Sequence, residues 1–175
     1  MPTARRAAIF AIGNPVAFEA RAELRETRGF ISITIIRPVA GSTAEQQHAN
    51  ALVEALARDS NDVAVHRQLA DVLYDTANWS EAIVHYRASI RRDSTQVSAL
   101  VDLGVCYYNL GQIAEAERHF LLALIRDPNQ PVALFNLGIV SQGRDESEQA
   151  LQYYHRALQA GPPDSMKEVL EKRIA

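Results

Sequence analysis

From residue 43 to the end, the chain alternates apolar-striped runs with short polar breaks. Within each run the apolar positions fall three and four apart, the spacing of one face of a helix. Helices are predicted at 43–59, 63–76, 80–92, 97–110, 114–126, 131–142, 147–160 and 165–173. Gly111 marks one of the breaks, and Pro128 and Pro162 mark two others, since proline lacks the N–H that a continuing helix needs. Asp59, Asp93 and Asp127 recur at the breaks and are expected to cap helices.

The runs repeat with a period of 34. Leu69, Leu103 and Leu137 are each followed by a small residue: Ala70, Gly104 and Gly138. Ala82, Ala116 and Ala150 keep the spacing, as do the aromatics Tyr86, Phe120 and Tyr154 and the small residues Ser89, Ala123 and Ala157. No insertion is needed across the copies at 63–96, 97–130 and 131–164. The third departs only between Ser141 and Gln149, where the turn reads Gln142-Gly143-Arg144-Asp145-Glu146-Ser147. Upstream, Leu52, Ala55 and Arg58-Asp59 keep phase with Tyr86, Ser89 and Arg92-Asp93, so 42–62 reads as the second helix of a half unit. At the other end, 165–175 forms a closing helix, with Asp164 or Ser165 as its cap and Glu168 completing a capping box.

Leu-Gly, an aromatic, Ala-x-x-x-Phe and a closing Pro form a pattern that resembles the tetratricopeptide repeat. The copy at 97–130 carries it best, with Leu103-Gly104, Tyr107, Ala116, Phe120, Ala123 and Pro128. The resemblance implies an all-α fold, a right-handed superhelix of antiparallel helix pairs whose concave face is lined by the first helix of each unit. On this sequence that face takes Arg67, Asp71, Tyr74 and Asp75 from the first unit. It takes Asp102, Val105, Tyr108 and Asn109 from the second, and Phe135, Asn136 and Ile139 from the third. Val101, Val105, Phe135 and Ile139 would form an apolar floor, and Asp71, Asp75 and Asp102 an acidic end. Some family members hold an acidic chaperone tail with Lys, Asn, Asn, Lys and Arg. The matching places here hold Arg67, Asp71, Asp102, Val132 and Asn136, so that clamp is absent. The implied partner is instead a protein or peptide with an apolar anchor and a basic residue. The chain is similar to stand-alone bacterial repeat proteins more than to chaperone cofactors. A module that stacks into a larger assembly through its end faces is the alternative, and a monomer or weak self-association is expected.

Residues 1–41 do not share the period. They read either as a poorly ordered leader or as a segment that docks on the groove or on a partner. Phe30 to Ile36 is β-branched and suited to an extended strand, and Ala17 to Arg28 favours helix. Neither this stretch nor Ala7 to Ile12 approaches the roughly 20 apolar residues of a membrane span. The expected compartment is the cytoplasm. Export is the alternative, because Arg5-Arg6 precedes an apolar stretch that Gly13-Asn14-Pro15 interrupts.

Composition adds exclusions. The 175 residues carry a formal charge of −3, which argues against nucleic acid. The leader is basic, with six arginines against three glutamates, and the remainder acidic. The single Cys106 rules out an internal disulfide and reads as a buried apolar residue. His85 and His119 hold equivalent places and are expected on exposed helix faces, with no third ligand to make a metal site. No catalytic constellation, cofactor motif or metal ligand set stands out from the repeat, and a non-catalytic scaffold is expected.

Overall fold

The computed structural model describes residues 43–175, so the leader lies outside the described residues. The helices are α1 (Thr43–Arg58), α2 (Val63–Asp75), α3 (Trp79–Arg92), α4 (Val97–Asn109), α5 (Ile113–Arg126), α6 (Pro131–Gln142), α7 (Ser147–Gln159) and α8 (Asp164–Ile174). Each predicted helix is present, with ends within a residue of the expectation. Pairs α2–α3, α4–α5 and α6–α7 pack most closely. Each second helix then meets the first helix of the next unit, while α2, α4 and α6 touch one another only weakly.

Local chemistry sets the ends. Asp62 caps α2, its carboxylate accepting from the amides of Ala64 (2.8 Å) and Val65 (3.0 Å). Gln130 caps α6 through Ala133 N (2.9 Å), with Pro131 in the first turn, where no amide is needed. Asp59 follows α1 with its amide on Ala55 O (3.0 Å), and Asp93 and Asp127 stand at the C-caps of α3 and α5, their amides bonding Ser89 O and Ala123 O. The three carboxylates accept from amides two residues on, at Asn61 (2.9 Å), Thr95 (3.0 Å) and Asn129 (3.1 Å). They fold the linkers after α1, α3 and α5 into Asx-turns. At α8 the cap position falls on Pro163, without a side-chain bond, so the capping box is not formed. Glu168 instead accepts from Lys172 (2.9 Å).

The turn inside each unit is one structure used three times. The amides of Asn78, Gln112 and Glu146 bond the carbonyls of Leu73 (2.8 Å), Tyr107 (2.9 Å) and Ser141 (3.0 Å), a Schellman closure. The left-handed residue falls at Ala77 (φ 58), Gly111 (φ 72) and Asp145 (φ 62), each 34 after the last. The third turn, the unit's one departure in sequence, therefore keeps its shape. Asp145 takes the strained place, while Gly143 is ordinary helical backbone.

Packing within a unit follows from the small-plus-aromatic pairs. Tyr86, Phe120, Ala82, Ala116 and Ala123 are fully buried, and Tyr154 nearly so. A methyl built on Gly104 would stand 2.6 Å from Phe120 Cε1, and one on Gly138 would run into the Tyr154 ring. α1 buries Ala49 and Leu52 against α2, with Leu52 in the register of Tyr86. α8 buries Met166 and Leu170 and leaves Lys167, Glu168, Glu171 and Lys172 exposed.

Two substitutions test these constraints. Gly138→Ala should lower stability by about 1–3 kcal/mol, an overpacking cost. Ala77→Gly should raise it by roughly 0.5–1 kcal/mol by relieving left-handed strain. Urea unfolding of the full chain reads both, and an unchanged midpoint for Ala77→Gly would contradict the turn geometry.

Candidate functional site

The inner face of the solenoid is formed by α2, α4 and α6. Its most ordered polar feature spans the junction of the first two units. Arg67 donates from Nε to Asp71 Oδ1 (2.9 Å), from Nη2 to Asp102 Oδ2 (3.0 Å) and from Nη1 to Ser98 Oγ (3.2 Å). Its guanidinium lies 5.4 Å from the ring centre of Tyr86, whose hydroxyl donates to Asp71 Oδ1 (2.8 Å). One planar cation thus ties α2, α3 and α4 together through charge-assisted bonds. Burial, followed by the carboxylates of Asp102 and Asp71, pushes the Tyr86 phenol well above its usual range, so it stays a donor. Asp75, four residues further along the same helix, is exposed.

The opposite end is cationic. Arg173 of α8 donates to Gln142 Oε1 (2.6 Å) and Tyr154 Oη (3.3 Å), and its guanidinium stands 5.7 Å from the rings of both Phe135 and Tyr154. Sequence reasoning treated α8 only as a cap and missed Arg173. Register could have found it, because 173 follows Asp71, Val105 and Ile139 at the same 34-residue step.

The residues expected on this face divide into two groups. Arg67, Asp71, Asp102 and Ile139 are half-buried, and Asp75, Tyr108 and Asn109 are exposed. Tyr74, Val105, Phe135 and Asn136 are buried instead, at 3%, 1%, 3% and 6% exposure, as is Val101 at 2%. The expected open apolar floor is therefore shut to water. Tyr74 is turned into the core, edge-on to Trp79 and Tyr86. Phe135 lies under Arg173 and beside Tyr154. Asn136 spends its amide on Val132 O (2.9 Å), and Asn109 does the same on Val105 O (2.9 Å).

The histidines also correct the sequence reading. His119 is buried, its ring stacked on Tyr107 (5.3 Å, 7°), with Nε2 accepting from Arg118 Nη2 (3.0 Å). Burial and then Arg118 lower its pKa to about 4. His66 Nε2 donates to Ser60 O (3.1 Å), which leaves its Nδ1 to accept from His85 Nδ1 at 2.9 Å. Burial and then His66 hold His85 at about 4 as well. Among the described residues no group of three or more His, Cys, Asp or Glu is gathered for a metal ion. Cys106 is buried and its thiol is pushed up by burial, the reverse of an activated nucleophile. No described helix is long and apolar enough to cross a membrane.

Comparison with known proteins agrees with this architecture. A family profile for the tetratricopeptide repeat matches residues 67–131. No curated protein matches the sequence. Among solved structures, crystalline MamA superposes with a TM-score of 0.65 at 18% identity, covering 74% of this chain and 84% of MamA. MamA from Desulfovibrio magneticus RS-1, from residue 41 to its end, gives 0.64 at 16% identity, covering 67% and 66%. MamA of MSR-1 gives 0.61 at 20%, covering 76% and 71%. These likenesses show the fold, a helical solenoid.

The histidines generate a pH prediction. Two groups held at about 4 in the native state, against an ordinary 6.5, bind fewer protons than the unfolded chain between those values. Stability should therefore fall as pH drops from 6.5 towards 4 and level below it. His119→Phe, which keeps a ring on Tyr107, should flatten the slope of melting temperature against pH across that window. An identical slope in the variant would remove His119 from the account.

Proposed function

We propose that this chain, a tetratricopeptide-repeat protein, is a non-catalytic scaffold that takes an extended peptide along the inner faces of α2, α4 and α6. The repeats make it a protein-interaction scaffold in general terms. The face used and the ligand's chemistry are our reading: an apolar anchor with a Lys or Arg beside it.

One observation carries this reading. The charged groups differ along the inner helices, with Asp71 and Asp102 around Arg67 and exposed Asp75 beside them, and Arg173 on α8. Arg67 and Tyr86 hold Asp71 and Asp102 in fixed positions, so little side-chain entropy is lost when a ligand meets this edge. Exposed Tyr108 and half-buried Ile139 lie between the ends and supply apolar contact. The charged outer face of α8 speaks against stacking through that end.

A peptide array on the full chain tests it. Retained peptides should pair an apolar residue with Lys or Arg. Asp75→Lys should weaken them about tenfold, roughly 1.4 kcal/mol. Ile125→Glu on the outer surface, where Ile125 is 71% exposed, should leave binding unchanged. A preference for acidic peptides, or loss on Ile125→Glu alone, would move the binding surface elsewhere.

A further inference from the structure

We infer that the outer side of α3 and α5 is a second docking surface, suited to an acidic amphipathic helix of another protein, with Leu121 and Ile125 as its apolar centre and Arg87 and Arg91 as its cationic flank. This surface is separate from the inner face, and its ligand carries the opposite charge.

The repeat places these side chains in two rows. Arg87, Leu121 and His155 stand 34 residues apart, as do Arg91, Ile125 and Gln159, and all six are exposed. Leu121 and Ile125 are four apart on α5, so they share one helix face and meet a ligand together. They are 42% and 71% exposed, and Ile125 is the most exposed large aliphatic side chain among the described residues. An exposed apolar pair rimmed by polar groups is what an interaction site presents to water. Both α3 and α5 pack against α4, which leaves their outer sides to solvent.

The rim has one sign. Residues 84–92 and 118–126 contain no Asp or Glu, although the chain after the leader is acidic overall. Arg87, Arg91 and Arg126 form no ion pair among the described residues. The last-turn arginines also answer the negative end of their helices. Arg87 lies a turn earlier and stands four residues from Arg91, a like-charge spacing that works against the helix. Its charge is felt on α5, where the His119 ring, held down first by burial and Arg118, is lowered further by Arg87. Two guanidiniums are thus kept beside an apolar pair against the preference of the helix, and carboxylates on a ligand would answer them.

Shape then selects a single helix laid along the rows, across α3 and α5. The cationic strip spans only Arg87 to Arg91, with Glu81, Glu115 and Glu117 ahead of it and Asp93 and Asp127 behind it on their helices. An anionic bilayer is wider than the strip and would meet those carboxylates, whereas a helix about 10–12 Å across would not. Packed helices stand roughly 8–10 Å apart, about two turns of a crossing helix. The ligand's carboxylates therefore belong about two turns from its aliphatic pair, on the α3 side, because the α7 side offers His155 and Gln159.

Fluorescence anisotropy with the full chain tests the assignment. The probe is a labelled helical peptide of about 18 residues, with Glu in roughly its first two turns and leucines three and four apart in the turns that follow. Its control carries Lys in place of Glu. The Glu peptide should bind, the Lys peptide should not, and added salt should weaken the binding. Arg87→Glu/Arg91→Glu and Leu121→Asn/Ile125→Asn, all at exposed positions, should each weaken it about tenfold or more, while Asp75→Lys should leave it unchanged. Absence of binding, equal binding of the two peptides, or binding that survives either double variant would overturn the inference. Phosphatidylserine vesicles should not sediment the chain, and sedimentation lost in Arg87→Glu/Arg91→Glu would overturn it by giving this side to a membrane. Light scattering that grows with concentration, and stops growing in Leu121→Asn/Ile125→Asn, would overturn it by giving this side to a second copy. The inner-face reading is decided by extended peptides and Asp75→Lys, so either reading can fail without the other.

Discussion

The structure depends on how closely two helix backbones approach inside each unit. Ala70, Gly104 and Gly138 give up side-chain volume on the first helix, and the rings of Tyr86, Phe120 and Tyr154 occupy it from the second. That exchange sets the spacing within a pair. The Schellman turns at Ala77, Gly111 and Asp145 set the angle at which the second helix leaves. With both fixed and repeated every 34 residues, the stacking of units and the existence of an inner face follow without a further instruction.

The inner face inherits its chemistry from positions that the repeat leaves open. Its acidic end is assembled from side chains of two units, because Arg67 reaches forward to Asp102 while holding Asp71 in its own helix. Its basic end comes from Arg173 of α8, in register with Asp71, Val105 and Ile139. Neither end belongs to a single repeat, so the polarity of the face is a property of this particular ordering of units.

Fold and site were legible in the sequence to different depths. Leu-Gly, Ala and aromatic spacings gave every helix, because close packing between helices tolerates few residue types. The third turn was harder to read. Its residues depart from the other two copies, yet backbone geometry keeps the left-handed conformation at the register position Asp145. The inner-face positions were assignable by phase, but their exposure was not. Tyr74 and Phe135 look like groove residues by phase, yet Trp79, Tyr154 and Arg173 close over them, and those contacts cross between elements. His66 and His85 lie nineteen residues apart with no motif linking them, so their contact emerges only when α2 meets α3. Arg173 lies outside the three full copies, and only its register with Asp71, Val105 and Ile139 marks it as an inner-face residue.

The Arg67 junction also bears on the mechanics of the molecule. Between the first and second units the inner helices are joined by a guanidinium and two carboxylates, each only partly shielded from water. Between the second and third, the corresponding places hold Val101, Val105 and Asn136, which are buried. Mobile ions weaken the first kind of joint and leave the second almost untouched. The superhelix is therefore a spring of two stiffnesses. Its N-terminal junction should soften as ionic strength rises, while its C-terminal junction should hold.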